Sequence, residues 1–147
     1  VNLLSNNKAS DSDLYAMLSE FNKVGAEDFN TRYPLGLPEQ ECGEGPRSVT
    51  VNGHDIELFS WGGAAPLTSI IDPSDLLFAT TSLTFTGADS DGITGVCANH
   101  FGRVLRDDYA MNHIDINNHV LGLVSLFDTN PKTVFKNHAN RLKNMGL

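Results

Sequence analysis

At 147 residues with 40% apolar side chains, the chain is long enough to bury the core of one domain and too apolar to be disordered throughout. Eighteen acidic residues against ten basic ones, a formal charge of −8, exclude a nucleic-acid partner read through clustered Lys and Arg. No apolar run approaches the roughly 20 residues of a transmembrane segment, and Val1 stands first with no signal segment after it.

The charge is uneven. Residues 1–100 hold fourteen acids and four bases, and residues 101–147 hold four acids and six bases. Val1 to Ser10 is polar and Asn-rich and reads as a loop. Ser10 or Ser12 caps a predicted helix to about Asn22, because Leu14, Met17, Leu18 and Phe21 share one face. Gly25 is expected to interrupt, with a shorter helical piece at Ala26 to Thr31. Tyr33 to Arg47, with three prolines and three glycines, is a loop. Val49–Val51 and Ile56–Trp61 flank Asn52-Gly53, a hairpin signal, since Asn-Gly accepts the positive φ angles of a tight turn. Asp72-Pro73 opens a helix, with Pro73 at the first helical position. Ser82 to Thr86 alternates like a short strand, Ala88 to Gly92 is an acidic turn, and Val104-Leu105 is a short strand. Asn112 to Ser125 mixes loop and helix. Asn130-Pro131 starts a last helix carrying Val134, Phe135, His138 and Leu142, which Gly146 ends. Helices and strands are mixed, so the class is α/β or α+β. The few βα alternations suit half of a parallel-sheet domain better than a whole one.

Five histidines are candidates for chemistry. His54 follows the hairpin turn and is expected to be exposed, whereas His138 is expected to pack on the last helix. His113 lies in a polar stretch after a strand, where an imidazole serves as a general base at neutral pH. Such a base needs a carboxylate to fix its tautomer, and Asp91 is the candidate with Asp89 as its rival; turn chemistry alone also explains both. No serine stands in a Gly-x-Ser-x-Gly elbow; Ser60 and Ser90 do not fit. Asp72 and Asp115 are carboxylates of the kind Ca2+ takes, although spacing alone favours Asp72 as a helix cap. Asp89-Ser90-Asp91-Gly92 lacks the other ligand positions of an EF-hand. Cys42 and Cys97 have no zinc spacing and read either as two buried thiols or as one disulfide of a secreted protein.

Taken together, Arg32-Tyr33-Pro34, Cys42-Gly43-Glu44-Gly45, Ser60-Trp61-Gly62-Gly63, Asp72-Pro73-Ser74-Asp75, Ser82-Leu83-Thr84-Phe85, Asp91-Gly92, Met111-Asn112-His113 and His138 to Asn144 carry a resemblance. From about Phe29 to Leu147 the chain resembles the C-terminal half of secreted, foldase-dependent triacylglycerol lipases of the Pseudomonas and Burkholderia type; residues 1–28 match loosely. The resemblance implies an α/β-hydrolase fold of which residues 1–147 are one C-terminal piece. It implies acylglycerol substrates at a lipid–water interface, His113 and Asp91 as catalytic base and acid, and a Cys42–Cys97 disulfide. It implies structural Ca2+ on the carboxylates of Asp72 and Asp115 and the backbone carbonyls of His119 and Leu123. The partners it implies are the N-terminal part of the same lipase, carrying the nucleophilic serine, and a foldase acting during folding; the location is extracellular, reached through the periplasm. The sequence departs from the family at Ile114, Ile116 and His119, where leucine, glutamate and glutamine are common. On this reading Val1 is a cut end. The alternative is a non-catalytic calcium-binding or interaction domain, which the missing serine elbow favours.

Overall fold

A computed structural model describes residues 14–20, 22–68, 73–83, 85, 88–118 and 128–147. The chain divides between Leu35 and Gly36 into two compact units. In the first, α1 (Leu14–Glu20) is followed by α2 (Lys23–Arg32). The break expected at Gly25 does not occur there, because Asn22 caps α2: its Oδ1 accepts from Gly25 N at 3.0 Å and its carbonyl from Ala26 N at 2.9 Å. A Cβ at residue 25 would run into the Ser19 carbonyl, so the glycine is what lets α2 start immediately behind α1. Ser10, Ser12 and Phe21, and the side chains of Leu14, Met17 and Leu18, lie outside the described residues.

The second unit begins with the expected loop and then the expected hairpin. β1 (Ser48–Val51) pairs antiparallel with β2 (His54–Glu57) from Ser48 opposite Glu57 to Val51 opposite His54. Asn52 and Gly53 both take positive φ, 53° and 80°, so the turn twists with the strands. The strand expected over Ile56–Trp61 is in fact two. Leu58 changes partners: its N–H donates to Arg47 O at 2.8 Å, closing the hairpin, and its carbonyl accepts from Arg103 N at 3.0 Å. From there β3 (Phe59–Gly63) runs parallel to β4 (Arg103–Tyr109), with Phe59 opposite Arg103, Trp61 opposite Arg106 and Gly63 opposite Tyr109. A parallel pair needs a crossover, and α3 (Pro73–Ser82) lies between the two strands in sequence. The chain is therefore a mixed helix–strand protein with a parallel pair.

No strand forms over the described part of Ser82–Thr86. Ser82 closes α3, and Leu83 N and Phe85 N donate to Thr80 O and Ser82 O at 3.3 and 2.9 Å. Backbone donors spent on consecutive tight turns are not available to a ladder; Thr84 and Thr86 lie outside the described residues. The final helix, α4 (Pro131–Met145), has the expected ends. Asn130 Oδ1 accepts from Lys132 N at 3.0 Å, and Gly146 at φ 83° turns the chain so that Leu147 N reaches Leu142 O at 3.1 Å. His138 packs as expected, its ring centroid 5.1 Å from those of Phe59 and of Trp61 on β3, while Phe135 meets Trp61 edge-on at 5.5 Å. Burial, and secondarily the charge of Arg141, hold the proton affinity of His138 below the ordinary value.

Among the described residues the buried apolar side chains are Phe78 of α3, Met111 after β4, and Pro131 and Val134 of α4. Cys42 and Cys97 form a disulfide with Cα atoms 4.6 Å apart, which decides between the two readings of the cysteines. Among the described residues no helix is long and apolar enough to cross a membrane.

Candidate active site

The loop from Asp89 to Val96 is folded on itself before it reaches any other element. Ser90 bridges to Gly95, Val96 N donates to Asp89 O at 3.0 Å, and Asp91 N donates to Thr94 O at 3.1 Å. Gly92, at φ 99°, occupies a conformation that disfavours a side chain, and a Cβ there would strike Phe78. Thr81 on α3 donates its hydroxyl to the Gly92 carbonyl, so α3 braces this loop.

The fold of the loop turns Asp91 inward; the residue is 1% exposed. Its Oδ1 accepts from Ile93 N at 3.0 Å and Thr94 N at 2.8 Å, and its Oδ2 from Thr94 Oγ1 at 3.0 Å. The fourth donor is His113 Nδ1, 2.9 Å from Oδ2. His113 N also donates to the Asp91 carbonyl at 2.9 Å, so backbone and side chain together hold the two residues. Asp89 is exposed and makes no such contact; the geometry pairs His113 with Asp91.

His113 sits on a turn after β4 whose form is set by its neighbours. Asn112 is fully buried, and its Oδ1 accepts from Ile114 N and Asp115 N, both at 2.9 Å. In return Asp115 Oδ2 accepts from Asn112 N at 3.0 Å, and also from Thr68 Oγ1 at 3.0 Å. This reciprocal Asn–Asp turn presents the ring between its two members, with the His113 side chain 37% exposed against 1% for the carboxylate behind it. With Nδ1 against a carboxylate, a neutral ring carries its hydrogen on Nδ1 and leaves on Nε2 the lone pair that a base requires. Among the described residues no serine hydroxyl bonds to His113: the Ser60 hydroxyl accepts from Phe101 N at 3.1 Å and that of Ser90 from Gly92 N at 3.4 Å.

Asp72, His119 and Leu123 lie outside the described residues, so of the four expected calcium ligands only Asp115 is described. No cluster of three metal-ligating side chains occurs among the described residues. What is described suits a hard cation. Asp115 is buried, and Asn118, at φ 57° on the same turn, has a buried Oδ1 with no donor among the described residues.

Three contributors to the site, Thr94, Asn112 and Thr68, are not singled out by the sequence. Thr94 adds two donors to Asp91, and an Asp followed three residues later by Thr is a local turn signal that points to it. Asn112 and Asp115 carry a similar signal at the same spacing. Thr68 joins Asp115 from 47 positions away with no signal at all. His100 is buried with Nδ1 2.9 Å from Gly43 O and Nε2 3.0 Å from Asp107 Oδ2, a second His–carboxylate pair outside this site. His54 is exposed, as expected.

A buried, fully hydrogen-bonded carboxylate behind a half-exposed imidazole is an arrangement shared by enzymes that use histidine as a general base. The chain is 45% identical over all 147 residues to a triacylglycerol lipase of Vibrio cholerae, of which it covers 46%. It is 33% identical over 131 residues to a triacylglycerol lipase of Pseudomonas fragi, an alignment taking in 84% of this chain and 43% of that protein. With a triacylglycerol lipase of Burkholderia plantarii it shares 30% identity across 99% of this chain and 48% of that one. The chain spans about half the length of the curated relatives it matches. No family model matches it. It is thus homologous to bacterial triacylglycerol lipases, as the sequence resemblance implies.

Proposed function

We propose that the chain is the C-terminal half of a secreted, foldase-dependent triacylglycerol lipase of α/β-hydrolase fold, supplying the base and acid of a serine hydrolase. The observation that carries this reading is the 2.9 Å bond from half-exposed His113 to buried Asp91 in a chain that aligns over its whole length with a lipase. The serine comes from the N-terminal part, which the relatives' greater length accommodates. His113 Nε2 takes the serine proton as the hydroxyl attacks an acylglycerol ester carbonyl. It then protonates the leaving alkoxide, and in the second half-reaction takes a proton from the water that releases the fatty acid. Asp91 keeps the proton of the resting ring on Nδ1 and stabilises the imidazolium formed in each step. Leu67 and Leu83, 56% and 76% exposed, are apolar surface of the kind the N-terminal part would cover.

Asp115, with Asp72 and the carbonyls of His119 and Leu123, would hold a structural Ca2+. Bound there, the ion supplies a fixed positive charge that ties neighbouring segments together. Asp115 itself holds the Asn112 backbone, and so the turn that presents His113, by the 3.0 Å bond to Asn112 N.

The test labels full-length protein with a serine-directed phosphonate and measures ester hydrolysis. Labelling of a serine outside this sequence, with hydrolysis abolished by His113→Ala, is the expected result. Turnover near wild type in folded His113→Ala refutes the assignment. A stably folded 16 kDa species that takes no label refutes the half-enzyme and favours a non-catalytic domain.

A further inference from the structure

His100 has no part in the chemistry above, yet it is a buried titratable side chain engaged at both ring nitrogens. Its two partners are a backbone carbonyl, Gly43 O at 2.9 Å, and a carboxylate, Asp107 Oδ2 at 3.0 Å. Both partners are acceptors, and together they hold the ring from its two sides. The position of this ring ties it to the disulfide. Gly43 follows Cys42 directly, and His100 N donates to the Cys97 carbonyl at 3.2 Å. The segment 42–43 and the segment 97–100 are therefore joined twice, once by the Sγ–Sγ bond and once through the imidazole. Asp107 lies on β4, so the second tether also fastens both segments to the sheet.

Two tethers across the same gap support each other. With the imidazole in place, the reduced thiols stay close, their effective concentration is high, and the disulfide re-forms readily. By reciprocity the disulfide holds the imidazole between its partners. We propose that His100 is a positioning residue, clasped between Gly43 and Asp107, that holds Cys42 and Cys97 together and makes their disulfide resistant to reduction. This inference stands on geometry within the second unit and does not depend on the lipase reading.

The experiment equilibrates full-length protein in glutathione buffers of graded ratio and reads the fraction of Cys42–Cys97 bond by thiol alkylation and mass spectrometry. In reduction two glutathione thiols are oxidised to one glutathione disulfide, and the Sγ–Sγ bond takes up their two electrons and two protons. Asp107→Asn leaves a neutral acceptor on a half-exposed residue, and His100→Phe fills the ring's space without hydrogen bonds. Each should ease reduction about tenfold, a shift of about 30 mV, while His54→Ala on the hairpin leaves it unchanged. Should His100→Phe fail to fold, Asp107→Asn decides the matter. An unchanged glutathione equilibrium in folded Asp107→Asn overturns the proposal.

Discussion

Asp91→Asn separates the orienting role of the carboxylate from its structural role. The amide has one acceptor where the carboxylate has two, so its orientation is decided by which neighbours need an acceptor most. Ile93 N and Thr94 N point at the Oδ1 position from 3.0 and 2.8 Å, and both are backbone donors that cannot rotate away. Placing NH2 there opposes donor to donor twice and leaves two backbone groups unsatisfied, each costing about 1–3 kcal/mol. The amide oxygen therefore takes the Oδ1 position and NH2 the Oδ2 position. There it meets Thr94 Oγ1, which rotates to accept, and His113 Nδ1, which must now accept as well. The imidazole proton moves to Nε2, and the base is lost while the fold is retained. Tautomer reversal of this kind in a serine protease lowers kcat about 10⁴-fold, equivalent to about 5.4 kcal/mol of barrier. The assay is steady-state hydrolysis of a p-nitrophenyl ester by full-length variant and wild type, with urea unfolding as the control for stability. A loss in kcat below tenfold, with stability retained, refutes the claim that Asp91 sets the tautomer of a catalytic His113.

Three further outcomes follow from the same contacts. Asn112→Ala strips the acceptor from Ile114 N and Asp115 N and should cost about 2–4 kcal/mol in denaturant unfolding; a loss under 0.5 kcal/mol would mean that the turn holds without it. Asp115→Ala should shrink the rise in Tm produced by calcium, and an equal rise in both proteins removes Asp115 from the ion site. His138 binds its proton less readily when folded than its ordinary value of 6.5, chiefly because it is desolvated. The unfolded chain therefore takes the proton first. The contribution of the neutral ring is complete above about pH 6.5 and is lost as pH falls through the lower folded-state value. Urea midpoints between pH 7.5 and 5 should fall more for wild type than for His138→Phe; parallel curves refute the assignment.

The elements legible in the sequence are those whose ends are written locally. Asn52-Gly53 specifies a turn that almost no other pair accepts, and Asn130-Pro131 with Gly146 marks both ends of α4. β3 and β4 are hard to read for opposite reasons. β4 carries Arg103, Arg106, Asp107 and Asp108, so its apolar alternation is masked and only Val104-Leu105 stands out. β3 continues the hairpin's apolar pattern without a break, and only the change of partner at Leu58 ends one strand and begins the next. Ser82–Thr86 has the alternation of a strand, but local turns claimed the donors at Leu83 and Phe85 first. At the site, the pairing of His113 with Asp91 over Asp89 follows from which carboxylate the 89–96 loop turns inward, and alternation cannot report that.

The same locality bears on how the His113–Asp91 pair keeps its geometry. The Asp91 carboxylate takes three of its four bonds from within three residues, and the His113 turn is closed by Asn112 and Asp115 on either side of it. What joins the two turns is one side-chain bond and one backbone bond, both between the same pair of residues. Loop-closure entropy grows slowly with length, so joining the two turns across 22 positions costs little more than joining them across a shorter span. An imidazole and a carboxylate assembled in this way depend little on distant strands for their mutual distance. They depend on those strands for where the pair is aimed, since β4 and its partner β3 fix the point from which the His113 turn departs. Damage to the sheet should therefore misplace the pair as a unit before it separates its members, and activity should be lost while the 2.9 Å bond survives.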